Sequence, residues 1–194
     1  MAAASEEFLE HGYAASMEAI AQRAGVSKKT IYRFVETKSD LLIALMAAKA
    51  ESLRLSIGLN RTDVMGAQET LELILGQYAR QMMSADTVAM HRVVAAECLR
   101  FPHLAETFYR DGWQRAFGII ACVLKDLEAR GLLMVANRAR AAAMLVEMIV
   151  GEPLRCAVFG VSKCPDEDEI DRRVKEGITL FLHGCAVERQ SDLQ

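Results

Sequence analysis

A chain of 194 residues, 52% of them hydrophobic and with a formal net charge of -3, is long enough to bury a sizeable core and apolar enough to hide surface in a partner subunit or a pocket. No uninterrupted apolar run approaches the roughly 18 residues needed to cross a bilayer, and Glu6, Glu7 and Glu10 stand where a secretory signal needs a basic start and an apolar centre, so a cytoplasmic protein is expected. The five cysteines (Cys98, Cys122, Cys156, Cys164 and Cys185) form no CxxC pair, which argues against a disulfide framework.

Only three prolines interrupt the chain and no stretch alternates long enough to be a strand, so the spacing predicts an all-α fold. Ala2 to His11 reads as a helix with Phe8 inward and Gly12 as its stop. Ser16 is a good N-cap for a helix from Met17 to Ala24, with Met17, Ile20, Ala21 and Ala24 at helical spacing. Gly25 supplies the backbone freedom of a tight turn, and Val26 plugs it. Ser27 can cap a second short helix through Lys28, Lys29, Thr30, Ile31, Tyr32, Arg33 and Phe34, with Ile31 and Phe34 expected on its buried face. Two short helices joined in this way form a helix-turn-helix.

Thr37-Lys38-Ser39-Asp40 reads as a capping box that opens a long helix to about Leu55, with Leu41, Leu45 and Ala48 on one stripe. Residues 57–63, with Gly58, Asn60 and Asp63, read as a linker. Further helices are expected at about 64–84, 87–99, 102–130, 137–159 and 166–186. Gly131 stops the third of these, and Pro165 followed by the acids 166–169 opens the last, where negative charge suits the helix dipole. Pro153 is expected to kink or end its helix. Ala141 to Val150 is apolar almost all round and so expected to be covered on two sides. The last helix carries Ile170, Val174, Ile178, Phe181, Leu182 and Cys185 on one stripe, and these two helices are the expected subunit seam.

From Arg23 to Lys38 five basic residues face one acid, Glu36, a net of +4 in a chain whose remainder sums to -7. A basic island on an acidic protein is the footprint of a phosphate-contacting surface. Lys28, Lys29 and Thr30 open the second helix, the end that projects into the major groove; they can read base edges or hold phosphates. Tyr32, Arg33 and Lys38 are assigned to phosphates, although Tyr32 can equally pack in the small core. Ser16 can add a phosphate contact from its cap, Ser27 is counted with these DNA-binding residues, and the amides at Lys38 open a helix N-terminus, which attracts anions.

The run GYAASMEAIAQRAGVSKKTIYRFVETKSDLL resembles the N-terminal domain of the TetR family of bacterial transcriptional regulators. The resemblance rests on Gly12-Tyr13, Ile20-Ala21, Ala24-Gly25-Val26-Ser27, Tyr32, Phe34, and Lys38 followed by Leu41-Leu42. It implies an all-helical homodimer with a DNA-binding domain at 1–55 and an effector-binding and dimerisation domain at 56–194. It also implies a palindromic operator, repression, and release by a small molecule. From Met90 to Gly118 the chain loosely resembles the AefR-like ligand domains of the same family. Members usually carry a basic stretch before the point where this chain begins. Here the first eleven residues hold three glutamates and no lysine or arginine, so either the arm is lacking or the start is trimmed.

No HExxH, GxSxG, P-loop or glycine-rich dinucleotide turn is present, and the four histidines lie far apart, so neither an enzyme, a cofactor nor a metal site is expected. For an effector, Tyr78, Met82, His91, Trp113, Phe117, Met144 and Met148 are candidates to line an apolar pocket, although the same residues are what any helical core is made of. Glu147, inside an apolar stretch, is the polar candidate, pairing with Arg155 or another base or orienting a ligand. Two further readings remain: a thiol sensor using Cys164, which sits beside Lys163 in an expected loop, or another exposed cysteine, and a small-molecule-binding protein with no operator of its own.

Overall fold

Side-chain caps set where the helices begin. The computed structural model describes residues 2–59 and 64–185, and no strand occurs among them. α1 (Ala2–His11) ends in a 3-10 turn (Gly12–Ala14). α2 (Met17–Arg23) is capped by Ser16, whose Oγ accepts from the Ala19 amide at 3.0 Å. Gly25, at φ +65°, turns the chain, and the Val26 amide closes the turn on the Ala21 carbonyl at 3.0 Å. α3 (Lys28–Tyr32) starts at Ser27, whose Oγ accepts from the Thr30 amide at 3.1 Å. The capping box at 37–40 forms as expected: the Thr37 amide donates to Asp40 at 2.8 Å and the Asp40 amide to Thr37 Oγ1 at 3.1 Å.

α4 (Lys38–Leu59) runs further than expected, so the linker assigned to 57–63 is helical to Leu59; residues 60–63 lie outside the described residues. On it Leu41, Leu42 and Leu45 are buried, whereas Ala48 is exposed. α5 (Ala67–Met82), α6 (Ala85–Glu97), α7 (Pro102–Thr107) and α8 (Arg115–Ala129) follow, with a π-helical turn at Phe108–Gln114 between the last two. α9 (Arg138–Val146), a second π-helical turn (Glu147–Gly151), α10 (Glu152–Val158) and α11 (Glu167–Cys185) complete the fold. The proline expected to kink its helix, Pro153, stands just after that second turn. It has no amide hydrogen to continue the ladder, and the widened turn carries the helix past it.

Two cores result. The larger packs α5, α8, α9, α10 and α11 around Leu71, Ile74, Leu75, Ile120, Leu124, Leu145 and Ile178. At Gly177 α11 lies so close to the second π turn that a Cβ there would come within 2.8 Å of Ile149. The smaller core spans the proposed domain boundary: Ala4, Phe8, Met17, Ile20, Leu41, Leu42 and Leu45 pack with Met90, Val93, Val94, Leu104 and Phe108. The helix-turn-helix therefore has no core sealed off from the rest of the chain.

The expected subunit seam needs correction. Ile170, Val174, Ile178 and Phe181 are buried within the chain itself, against α5 and α9. Leu182 is partly buried against the same core, and the Cys185 side chain lies outside the described residues. The α9 region is apolar all round, as expected, but its second side is open: Met144 is 59% exposed and Met148 43%, beside Leu180 at 65%.

Candidate nucleic-acid interface

The turn of α3 separates its side chains into an inward and an outward set. Ile31 and Val35, four apart, pack against the smaller core. Phe34, expected to pair with Ile31, is 80% exposed instead: it lies about 60° to one side of Ile31 and Val35 about 40° to the other, and it is Val35's side that meets the core. Lys28, Lys29, Tyr32 and Arg33 are exposed, and Thr30 is half-buried with its hydroxyl 2.8 Å from Ser27 Oγ. Tyr32 is thus outside the core.

Burial and pairing then divide the basic island. Arg23 is turned back onto α1, donating to both oxygens of Glu10 at 2.9 and 2.7 Å and lying 3.0 Å from the buried carboxylate of Glu7. That hydrogen-bonded pairing holds the Glu10 carboxyl below its usual value and the guanidinium above its own. Lys28 pairs with Glu18, lies 5.7 Å from the centre of the Tyr32 ring, and is raised by the same hydrogen bond. Lys38 points inward: its Nζ donates to the carbonyls of Tyr13 and Ala15, the latter at 3.1 Å, and sits 4.2 Å from the centre of the Tyr13 ring. The Tyr13 hydroxyl in turn meets Ser39 Oγ at 2.6 Å. The Lys38 ammonium is therefore a clamp holding the turn after α1 to the start of α4. Among the described residues, Lys29 of α3 and Arg33 at its C-cap remain as the cations of this turn without an ion pair, four residues apart on its outer face.

A cluster that sequence reasoning missed lies on α1. Glu7, Glu10 and His11 bring ligand atoms within 4.8 Å of one another. The Arg23 guanidinium occupies the same carboxylates, so the group is an ion-pair network tying α1 to α2. The spacing of Glu6, Glu7 and Glu10 on one side of α1 was the available signal.

The eight effector candidates separate into three places. Tyr78 and Met82 are buried in the larger core, and Phe117 packs partly buried against it. Burial, with the Glu147 charge adding to it, pushes the Tyr78 hydroxyl well above its ordinary value. His91 and Trp113 are half-buried beside the smaller core. Trp113 Nε1 donates to His91 Nε2 at 3.3 Å, His91 Nδ1 donates to the Thr87 carbonyl at 2.8 Å, and the Phe108 ring meets His91 edge-on at 4.9 Å. Met144 of α9 and Glu147 and Met148 of the second π-helical turn are exposed and do not line that interior. Glu147 pairs with Arg155 at 3.2 Å. As for the thiol reading, Cys164 lies in the loop before α11, as expected, but packs half-buried there against the larger core, and a hydrogen bond to Glu152, with burial second, raises the Cys156 thiol.

Comparison with known proteins places this geometry in context. Residues 1–45 match the sequence model of bacterial regulatory proteins of the tetR family, and residues 69–184 that of the AefR-like transcriptional repressor C-terminal domain. An HTH-type transcriptional activator, FasR of Mycolicibacterium smegmatis (strain ATCC 700084 / mc(2)155), is 44% identical over 52 residues, which are 26% of this chain and only 24% of that protein. The flavonoid-responsive regulator FrrA superposes with a TM-score of 0.72 at 32% identity, over 95% of this chain and 93% of its own. A TetR-family regulator from Mesorhizobium loti MAFF303099 superposes with a TM-score of 0.85 at 24% identity, over 96% and 94% of the two chains.

Proposed function

The chain belongs to the TetR family of bacterial regulators, and from that premise we propose that it is a homodimeric, ligand-responsive repressor of a palindromic operator. Residues 1–55 would form its DNA-binding head and residues 56–194 its effector and dimer unit. The observation that carries the reading is the pair Lys29 and Arg33, without an ion pair among the described residues and on the outer face of a helical turn fixed by Ser27 and the Gly25 turn. Two such helices enter successive major grooves when a two-fold axis sets them roughly 34–36 Å apart. The AefR-like repressor description of the C-terminal match supports repression, and no described helix is long and apolar enough to cross a membrane.

The open apolar face of Met144, Met148 and Leu180 supports dimerisation, since a monomer would leave it wet. For the effector, the half-buried side around His91 and Trp113 is the better candidate, because the π-helical turn carrying Trp113 packs on α4. Arg115, at the start of α8, adds an ion pair to Glu51 of α4 at 3.2 Å. An effector that prefers a conformation with the wrong spacing of recognition helices weakens operator binding by that preference and no more. The experiment is a binding titration with the duplex upstream of the gene, repeated across a salt series. A steep fall of affinity with salt is expected, and no affinity above that of a neutral protein of equal size would sink the proposal.

A further inference from the structure

Phe34 is the exposed side chain of the α3 region that has no polar atom. The helical turn continues past Tyr32: the Phe34 and Val35 amides donate to the Ile31 carbonyl at 2.9 and 3.2 Å. Residues 28–35 can thus be read as one helical projection. Ile31 and Val35 point inward, Lys29 and Arg33 outward, and Thr30 and Phe34 share the flank between them. Phe34 is among the residues that line an apolar groove, with Val26, Thr30 and Ile31. At 80% exposure its ring is not a packing residue, and with no donor or acceptor it cannot hold a phosphate or a polar base edge.

An aromatic ring left in water next to the two free cations calls for a contact made only when the partner is present. We propose that Phe34 is a DNA-contacting residue whose ring lies against apolar duplex surface, either a deoxyribose edge or a thymine methyl, beside the phosphate contact of Arg33. The proposal rests on the DNA-binding reading above. The two sources share one chemistry, since both present carbon to the protein, and the thymine methyl is the one apolar group the major groove displays. A ring that displaces water from carbon adds affinity without releasing counterions, so its loss leaves the salt dependence untouched.

The test uses the full chain with two probes: a duplex selected from a random pool by the wild-type protein, and an unselected duplex of equal length. Phe34→Ala should bind the selected duplex about tenfold more weakly, with Phe34→Leu intermediate and with the log-log salt slope of the wild type. Because the side chain is exposed, both variants should melt as the wild type does. A loss shared by both duplexes points to deoxyribose. A loss confined to the selected duplex, and reproduced in the wild type by placing uracil for thymine, points to the methyl group. Affinity within twofold of wild type on both duplexes, or a changed salt slope, overturns the proposal. If Arg33→Ala weakens binding while Phe34→Ala does not, only this inference falls. If the wild type has no salt-dependent affinity for any duplex, the DNA-binding reading falls and takes this one with it.

Discussion

Leu180→Asp and Phe181→Asp, neighbours in sequence, should fail in different ways. Phe181 is 8% exposed and lies in the larger core. Truncating a core phenylalanine costs about 3–5 kcal/mol, and an aspartate left there without a partner adds to it, so this variant should lose its fold. Leu180 is 65% exposed in the single chain, so aspartate there should change the stability of the monomer by no more than about 0.5 kcal/mol. If its open surface is sealed in a dimer, the contact is worth about 1–2 kcal/mol per copy. A two-fold axis counts it twice, which makes about 2–4 kcal/mol and weakens the dimer about 30- to 1000-fold. Sedimentation over a dilution series reads the dimer, and circular dichroism reads the fold. Operator affinity should fall with the dimer even though α3 is untouched. A Leu180→Asp protein that stays dimeric at the same dilution and binds operator normally would show that the open face of α9 and α11 is not the seam.

The remaining expectations concern the head. Lys29→Ala and Arg33→Ala should each flatten the log-log salt dependence of DNA binding by about one unit, whereas Lys38→Met should lower the melting temperature and leave that slope as it is, because its ammonium is spent on the Tyr13 and Ala15 carbonyls. Gly25→Ala should destabilise the protein by about 1–2 kcal/mol: the site has room for a Cβ, but φ is +65°. The Glu10 carboxyl is held below its ordinary value by Arg23. Its contribution is therefore complete above the unfolded value near 4.5 and disappears as the pH falls through the lower folded one. Arg23→Gln should flatten the acid limb of stability against pH, and a limb identical to wild type would deny the pairing a role.

The all-helical fold and the helix-turn-helix were legible because their signals are local. Ser16, Ser27, Thr37 and Asp40 cap the very helices their positions suggested, and Gly25 sits at positive φ where the turn required it. What the sequence did not disclose was long-range. Five cations between Arg23 and Lys38 read as one basic island, but the acids that consume Arg23 stand on α1, up to 17 positions away, and a charge count does not see them. The buried partner of Ile31 was misassigned by one residue. Phe34 and Val35, three and four positions on, flank Ile31 on opposite sides, and the smaller core meets the side of Val35 although Phe34 is the larger apolar side chain. Helical periodicity likewise placed Met144 and Met148 together on one stripe without saying on which side of the fold the stripe lies.

The shared smaller core bears most on how the two halves of the chain communicate. Phe8 of α1, Ile20 of α2 and Leu42 of α4 pack against Val93 of α6 and Phe108 of the first π-helical turn. Phe108 also meets the rings of His91 and Trp113, with centroids at 4.9 and 5.7 Å. A π-helical turn holds one residue more than the α-helical ladder allows, so a small change of packing there is taken up as a shift of register. Close-packed interiors pass such a shift on rather than absorb it. Any molecule that separates Trp113 from His91 therefore acts on side chains which touch the core of the DNA-binding head, and no hinge between two independently sealed domains is required. The Lys38 clamp adds direction to this coupling: it ties the first turn of α4 to the carbonyls just before α2. Rotation of α4 then carries the helix-turn-helix with it, and in the proposed dimer the spacing of Lys29 and Arg33 from their two-fold mates would change with the packing around Phe108.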